Sequence, residues 1–344
     1  MRILLGMSGG LDSTVAAKKL LEAGHSVEGA LLVLHPYAER EQAKSAAEGL
    51  SIPLHEIDGR EHFKETVQKY FAEEYLRGRT PNPCVYCNRE VKLALLYKFA
   101  MENGFDAIAT GHYASIVHKD GRYAVKMAAD LKKDQSYVLW SVPQNILSKL
   151  ILPLGGYYKS DLRESAREEG LAVAERPESQ EICFIPDGDY AKFVCEYTST
   201  EPVEGDFVDE NGKVLGRHKG IIHYTVGQRK GLGIALGKRM FVTAVNAEEN
   251  TVTLSENPNA TVSDFFLEDM VFSATPEPAA GEELFAQARV RYLAPLRDAS
   301  VVYLGNGRAR VHLQTPARAV TPGQSAVFYA SETVLFGGVI SAIQ

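Results

Sequence analysis

A short string near the N-terminus carries the residue types that bind the phosphates of a nucleotide. Ser8-Gly-Gly-Leu-Asp-Ser13 stands between an apolar run and a segment with helical spacing. Gly9 and Gly10 would let the backbone approach phosphate oxygens without a Cβ clash, and the free N–H groups at the start of the helix would attract an anion. Asp12 is suited to hold a Mg²⁺ ion that bridges to phosphate. The string therefore predicts a nucleotide phosphate site at a strand-to-helix junction.

Two common nucleotide motifs are excluded at this position. A Walker A loop needs a lysine directly after its second glycine, and no lysine follows Gly9 and Gly10. The dinucleotide spacing Gly-x-Gly-x-x-Gly is also missing. A glycine turn before a helix capped by Asp12 or Ser13 is the alternative, and the complete string after a first strand favours a phosphate loop over it.

Two cysteines are candidates for sulfur chemistry. Cys87 lies near the end of a proline-containing stretch at residues 80–88, close to a predicted helix start, where the helix dipole would lower the pKa of its thiol. Cys183 lies in a short apolar run after Pro177. A lone cysteine is most often a small buried hydrophobic residue, and this alternative stays open for Cys183 and for Cys195. The few, unevenly spaced cysteines do not form the framework of a secreted disulfide-rich protein.

The elements that must position these residues alternate in type along residues 1–200. Short β-like runs followed by helical patterns predict an α/β fold, in which helices cover a parallel sheet. Residues 77–88 contain glycine, prolines and cysteines and are predicted to form a loop. The predicted strands are 3–7, 27–34, 53–57 and 105–110, and the predicted helices are 14–23, 38–50, 62–76, 90–103 and 158–170.

The chain changes character beyond about Pro202, where short β-rich runs are separated by turn signals at 209–212, 257–259, 305–307 and 321–323. This pattern is typical of small antiparallel barrels. We therefore predict a parallel-sheet nucleotide-binding domain at residues 1–200, a small central β-rich domain at 201–262 and a C-terminal β-barrel domain at 263–344.

The net charge of −7 argues against a nucleic-acid partner, but its distribution does not. Residues 213–239 contain seven Lys or Arg and no acidic residue, and residues 289–330 contain six arginines and a single acid, Asp298. Affinity for a polyanion depends on such local basic surface. Solvated strand faces are the open alternative. No apolar run approaches the ~20 residues that span a membrane, and the N-terminus lacks the zones of a signal peptide, so we expect a cytoplasmic protein.

Beyond these local signals, the sequence resembles known families. Ser-Gly-Gly-x-Asp-Ser resembles the pyrophosphate loop of the ATP pyrophosphatases, which split ATP between its α and β phosphates and activate a carbonyl oxygen as an adenylate. With six later strings it is similar to the tRNA-specific 2-thiouridylases (MnmA-type), from residue 2 to the end. Those strings occupy residues 80–88, 109–113, 133–137, 182–185, 224–233 and 321–328.

The resemblance implies a role for each matching residue. Cys87 would be the catalytic nucleophile and Cys183 the persulfide carrier. ATP would be bound by Gly6, Met7, Ser8, Gly9, Gly10, Leu11, Asp12, Ser13, Leu32 and Gly111. The target base would contact Asn82, Pro83 and Cys84, and the tRNA would contact His112, Lys133, Asp134, Gln135, Arg291, Tyr292 and Gln324.

Two positions depart from the family pattern. Leu32 stands where a methionine is common, which is a tolerable apolar exchange. Cys84 stands where an aspartate is common and creates Cys-x-x-Cys with Cys87. Cys84, Cys87 and Cys183 could then ligate an iron–sulfur cluster, since such clusters bind Cys thiolates.

The implied reaction is adenylation of the C2 oxygen of the wobble uridine in tRNA by ATP with Mg²⁺. A persulfide on Cys183 then supplies sulfur, and a Cys87–Cys183 disulfide remains. A cysteine desulfurase with relay proteins would supply the sulfur. Two alternatives stay open: another adenylating, amide-forming synthetase, and a non-catalytic tRNA-binding module.

Overall fold

The computed structural model of the chain describes residues 1–175, 182–257 and 261–343. Part of the sequence string before Cys183 and part of the predicted turn at 257–259 lie outside these ranges. Within them, no helix is both long enough and apolar enough to cross a membrane.

The N-terminal part of the chain contains a five-stranded parallel sheet, in the order β3-β2-β1-β4-β7. Ile3, Leu4 and Leu5 in its central strand are fully buried between helices on both faces. The sheet confirms the predicted α/β class. The strands are β1 (Arg2–Gly6), β2 (Ser26–Val33), β3 (Leu54–Asp58), β4 (Ala107–Ala109), β5 (Ala114–Lys119), β6 (Arg122–Met127) and β7 (Leu150–Ile151), of which β5 and β6 form a hairpin outside the sheet.

The helices follow the predicted order with shifted ends. The predicted loop at 77–88 is wrong at its end, because residues 83–87 are helical. Asn82 caps this helix by accepting a hydrogen bond from Val85 N (3.4 Å), and Pro83 fits the first turn. The α-helical bounds are Leu11–Glu22, Arg40–Gly49, Arg60–Phe63, Lys69–Leu76, Pro83–Cys87, Leu93–Glu102, Gln144–Leu147, Lys159–Glu168 and Tyr190–Thr198, with 3₁₀ turns at Ser136–Leu139, Ala172–Glu175 and Ile221–His223.

Two of the longer helices contain a π turn. Lys64–Gln68 joins the helical segments on either side of it into one helix over residues 60–76, and Asn88–Lys92 does the same over residues 83–102. The two π turns pack against each other. Because π turns are rare and frequently occur at functional sites, this contact draws attention to the residues around Cys87.

The central domain is a four-stranded sheet in the order β10-β11-β8-β9. Its core includes Phe207, Tyr224 and Val252. Residues 224–240, which include the family string at 224–233, contain no strand. The strands are β8 (Gly205–Val208), β9 (Val214–His218), β10 (Phe241–Asn246) and β11 (Thr251–Ser255).

The C-terminal part forms a closed antiparallel barrel, as predicted. Its six strands close because β12 pairs with both β15 and β17. The predicted boundary at 262–263 lies just inside β12, and that at 200–201 lies between the helix Tyr190–Thr198 and β8. The strands are β12 (Thr261–Phe272), β13 (Glu283–Arg289), β14 (Arg297–Gly305), β15 (Arg308–Arg318), β16 (Ser325–Ala330) and β17 (Thr333–Ile343).

The barrel docks directly on the N-terminal domain. Trp140 Nε1 donates to Ser325 Oγ (3.0 Å), and Tyr137 Oη donates to the Ser325 carbonyl (2.8 Å). Gly337 lies so close that a Cβ there would be 2.5 Å from Trp140 Cε3. The barrel is therefore positioned to brace loops of the N-terminal domain.

Candidate active site

A cavity of about 680 Å³ opens at the carboxyl edge of the parallel sheet. Residues that follow β1, β2 and β4 border it, which is the usual place for ligands in open α/β sheets. The cavity brings together predicted residues of both kinds. Its border includes Gly6, Met7, Ser8, Asp12, Ser13, Leu32 and Gly111 from the predicted ATP set, and Pro83, Cys84, Cys87, His112, Gln135 and Cys183 from the others.

The phosphate loop leaves the first turn of its helix uncapped. Gly10 is the N-cap residue with extended backbone, and no side chain caps this end, so the alternative of a cap by Asp12 or Ser13 is not observed. Ser13 Oγ instead donates to the Gly10 carbonyl (3.1 Å). Gly9 has φ +78°, and a Cβ there would lie 2.4 Å from Ala43 N. The loop therefore requires glycine for packing against the next helix as well as for its conformation.

Gly111 holds the loop from the other side. A Cβ at this position would lie 2.8 Å from the carbonyl oxygen of Asp12. The backbone after β4 can therefore contact the loop only without a side chain.

Asp12 is fixed by two residues that the sequence analysis did not select. Lys159 Nζ lies 2.9 Å from Asp12 Oδ2, and Tyr113 Oη donates to Oδ1 (2.8 Å). Lys159 begins a helix far along the chain, so no local pattern indicated this pair. It supplies a cation beside a loop that has no Walker lysine.

The three cysteines that border the cavity lie on two separate segments. Cys84 and Cys87 are three residues apart at the start of the helix 83–102, and therefore on one face. Cys183 reaches the cavity from the segment before Pro186. All four cysteines of the chain are free thiols.

The expected low pKa of Cys87 is wrong. Burial among apolar residues such as Phe63 and Phe184 raises the pKa of Cys87 to about 12. Desolvation disfavours the thiolate, and it outweighs the helix dipole at a residue already one turn inside the helix. Cys84 and Cys183 have exposed side chains at the open cavity. Desolvation by the surrounding protein still raises the pKa of both thiols, whereas the positive charge of Lys92 lowers the pKa of all three.

His112 is a neutral group. Its Nδ1 lies 2.7 Å from Thr110 Oγ1, and burial lowers the pKa of His112 to about 3, with a smaller contribution from the charge of Lys92. At neutral pH it can exchange hydrogen bonds with a substrate, but it cannot supply a cation for phosphate.

Asp134 does not reach the surface. Its carboxylate is fully buried, accepts hydrogen bonds from Ala128 N and Ser136 N (both 3.1 Å), and pairs with Arg289 Nη1 at 2.9 Å. The expected contact with tRNA does not fit this geometry. The pair links the N-terminal domain to strand β13 of the barrel, and removing one partner of a buried ion pair costs about 3–5 kcal/mol.

The other predicted tRNA residues lie in separate places. Gln135 borders the cavity, and its side chain accepts from Tyr113 N (2.9 Å). Arg291 and Tyr292 are exposed on the turn after β13. Gln324 Nε2 donates to the carbonyls of Thr80 (2.8 Å) and Pro81 (3.3 Å), which directly precede the predicted base-contact residues. Lys133 is half-buried on the loop before Asp134.

The barrel turn at 321–324 braces the segment before Asn82. Gly323 has φ +90°, and a Cβ there would lie 2.8 Å from the Thr80 carbonyl oxygen, whereas Gly281 has φ +89° and open space around it.

We expect Gly281→Ala to cost about 1–2 kcal/mol through its backbone conformation alone. Gly323→Ala should cost clearly more, about 3 kcal/mol, because it adds a backbone clash. Urea unfolding of the two variants measures this difference. Equal free energies of unfolding would show that the backbone at Thr80 moves away from the added methyl group without an energetic cost.

Within residues 1–175, 182–257 and 261–343, no three His, Cys, Asp or Glu side chains are arranged to hold a metal ion. The three cysteines of the cavity therefore do not fit a cluster site in this conformation. A Mg²⁺ ion has a different requirement, since it often binds one or two carboxylates together with substrate phosphates, and Asp12 fits it.

Family models match the chain in three consecutive parts. They describe a tRNA methyl transferase HUP domain at residues 1–187, a tRNA methyl transferase PRC-barrel domain at 191–256 and an aminomethyltransferase β-barrel domain at 262–340. The fold and site thus define a HUP-domain protein extended by two β domains.

Individual proteins of similar sequence identify the family more closely than the domain descriptions do. The tRNA-specific 2-thiouridylase MnmA of Acetivibrio thermocellus is 44% identical over 356 residues, covering 98% of this chain and 99% of the relative. That of Carboxydothermus hydrogenoformans is 44% identical over 362 residues, covering 98% and 97%. The chain belongs to the tRNA-specific 2-thiouridylase (MnmA) family.

Among solved structures, a 4-thiouridine synthetase–RNA complex with bound ATP aligns at 20% identity and a TM-score of 0.39, covering 58% of this chain and 51% of that chain. Similarity at this level does not extend to function.

Proposed function

We propose that this protein is an ATP-dependent tRNA-uridine 2-sulfurtransferase that converts the wobble uridine of tRNA to 2-thiouridine. The observation that carries the proposal is the shared cavity, in which the phosphate loop and Cys84, Cys87 and Cys183 face one space. Family membership supports the same activity. The family-model description names methyl transfer, but a cysteine pair beside a phosphate loop is suited to adenylation followed by sulfur transfer.

In the first step, ATP binds with its phosphates on residues 6–13 and Gly111 and its adenine against the apolar wall at Leu32. The uridine C2 oxygen attacks the α-phosphorus, the bond to the β-phosphate oxygen breaks, and pyrophosphate leaves. Mg²⁺ held by Asp12 would supply positive charge to the phosphates. Lys159 holds the Asp12 carboxylate in place.

In the second step, the terminal sulfur of a Cys183 persulfide attacks C2, and AMP leaves with the former C2 oxygen. The Cys87 thiolate then attacks Cys183 Sγ and breaks the S–S bond to the transferred sulfur. This leaves 2-thiouridine and a Cys87–Cys183 disulfide, which a dithiol reduces with two electrons. The covalent relay divides one difficult substitution into easier steps.

The remaining predicted residues would hold the tRNA. Asn82, Pro83 and Cys84 would contact the flipped base, since an unpaired anticodon-loop base costs little to extrude. His112, Lys133, Gln135, Arg291, Tyr292 and Gln324 would contact the surrounding nucleotides. A cysteine desulfurase with relay proteins would load Cys183, and a reaction that needs reduced thiols fits the cytoplasm.

Thiolation can be tested directly. Protein, ATP, Mg²⁺, unmodified tRNA, cysteine, a cysteine desulfurase and a dithiol are incubated, and the digested tRNA is searched for 2-thiouridine by mass. We expect 2-thiouridine and AMP in equal amounts. AMP formation that depends on an amine and ignores tRNA would indicate an amide-forming synthetase. Binding of tRNA without AMP release would indicate a binding module.

Binding of tRNA should depend on the basic central segment despite the acidic total charge. Arg229 and Lys230 are exposed, and Arg229 borders a surface pocket with Lys238 and Arg239. We expect replacement of both Arg229 and Lys230 by Ala to flatten the slope of log affinity against log salt by roughly 1.4–1.8, because each lost phosphate contact removes about 0.7–0.9.

Arg217→Ala is the matched control for this measurement. Arg217 is exposed in the same domain, but its guanidinium is paired with Asp206 at 2.8 Å. An unchanged slope in the double variant would show that the segment is only a solvated surface.

A further inference from the structure

Lys92 borders the cavity but has no part in the steps above. It is the last residue of the π turn Asn88–Lys92, directly after the helical turn that carries Cys84 and Cys87. Among the described residues that border the cavity, it is the only Lys or Arg. Lys92 therefore shares the cavity with three thiols, and the proposed steps give it no function.

The π turn is what directs Lys92 towards the cysteines. In an uninterrupted α-helix of 3.6 residues per turn, residue 92 would point about 140° away from residue 87. In the π turn, Leu93 N donates to the Asn88 carbonyl, five residues earlier, so that one turn takes up more residues. Lys92 is thereby rotated back towards the face of Cys87.

The ammonium group of Lys92 is available to an anion. In the described part of the chain, no carboxylate pairs with Lys92, whereas Arg89 in the same turn pairs with Glu90 (2.6 Å) and Asp269 (2.7 Å). His112, its neighbour in the cavity, is neutral because burial lowers its pKa to about 3. The positive charge that acts on the cysteines therefore comes from Lys92.

The chemistry needs such a charge. Cys87 must attack as a thiolate, and the Cys183 persulfide must attack as an anion, yet desolvation raises the pKa of the buried Cys87 thiol and also that of the more exposed Cys183 thiol. An opposite charge within about 4–6 Å favours the ionised form of a buried group. The other titratable groups at the cavity border are Asp12, His35, Tyr37, Glu39, Cys84 and His112.

We propose that Lys92 is a positioning residue that stabilises the sulfur anions of Cys87 and Cys183 when they form and orients them for sulfur transfer. The proton of each thiol goes to solvent, and the thiolate pairs with the ammonium group, so Lys92 itself neither gives nor takes a proton. The role rests on the proposed function, because a persulfide relay is what requires the anions.

The test measures thiol ionisation without ATP or tRNA. The rates at which iodoacetamide alkylates Cys87 and Cys183 are followed by peptide mass as a function of pH. We expect Lys92→Met to raise the apparent pKa of at least one of these thiols by about 1 and to slow its alkylation about tenfold below that pKa. Lys92→Arg should restore most of the rate, and Lys98→Met, on the exposed side of the same helix, should change nothing.

A second measurement separates the possible outcomes. Unshifted alkylation profiles overturn the proposal. If ATP affinity falls in Lys92→Met while the profiles stay unshifted, Lys92 binds phosphate instead. If the profiles shift in Lys92→Met but wild-type protein makes no 2-thiouridine, the proposed function fails while the charge–thiol pairing stands. Thermal unfolding followed by circular dichroism checks that each variant is folded.

Discussion

Cys87→Ser and Cys183→Ser are each expected to abolish 2-thiouridine formation, whereas Cys84→Ser should retain at least about a tenth of it. Only two sulfurs enter the terminal disulfide, so the relay has no step for a third. Both inactive variants should still release pyrophosphate in the presence of tRNA, because adenylation precedes sulfur transfer. Mass analysis of digested tRNA measures the product, with cysteine and a cysteine desulfurase as the sulfur source.

Cys195→Ser is the matched control for this series. Cys195 is half-buried in the helix Tyr190–Thr198, does not border the cavity, and should be replaceable without loss. The assay is run on protein purified with and without air. If Cys84→Ser is inactive in both preparations, and anaerobic wild-type protein is brown with bound iron, an iron–sulfur cluster at Cys84, Cys87 and Cys183 replaces the relay.

Asp12→Ala is expected to lower AMP release at least about a hundredfold, the size of effect that loss of a metal-ligating carboxylate produces. Asp12 borders the cavity at the phosphate loop, and its carboxylate is fixed by Lys159 (2.9 Å) and Tyr113 (2.8 Å). The change leaves the exposed basic segments untouched, so tRNA affinity should remain within about twofold, as for a surface-neutral variant. Chromatography of the nucleotides and filter binding of labelled tRNA measure the two quantities.

The control for Asp12 lies at the other end of the same helix. Glu22 is exposed and pairs only with Lys18 and Lys19 in the described residues, so Glu22→Ala should keep full activity. In wild-type protein, ADP as the main product would refute the assignment of the loop, because cleavage between the α and β phosphates gives AMP.

Several features could be predicted because they are written in contiguous residues. The strand–glycine–helix string of residues 8–13, the alternation of strands and helices, and the β-rich C-terminal half all depend on local conformational preferences. The helix that begins at Pro83 could also have been predicted, since Asn82 followed by proline is a helix-start signal. The strong turn character of the surrounding residues concealed it.

Other features were decided only by tertiary packing. The pKa of Cys87 is raised and not lowered, because residues such as Phe63 and Phe184, which come from distant parts of the chain, keep water away from the thiol. The burial of Asp134 depends on Arg289, 155 residues further along.

The positions of the cationic side chains at the site were also decided only by tertiary packing. Lys159 meets Asp12 across 147 residues, and Lys92 borders the cavity of the cysteines from a π turn. Sequence motifs determined which chemical groups are available to this protein, whereas packing determined the charge and the surroundings of each, because desolvation and Coulomb interactions depend on distances in space and not on spacing along the chain.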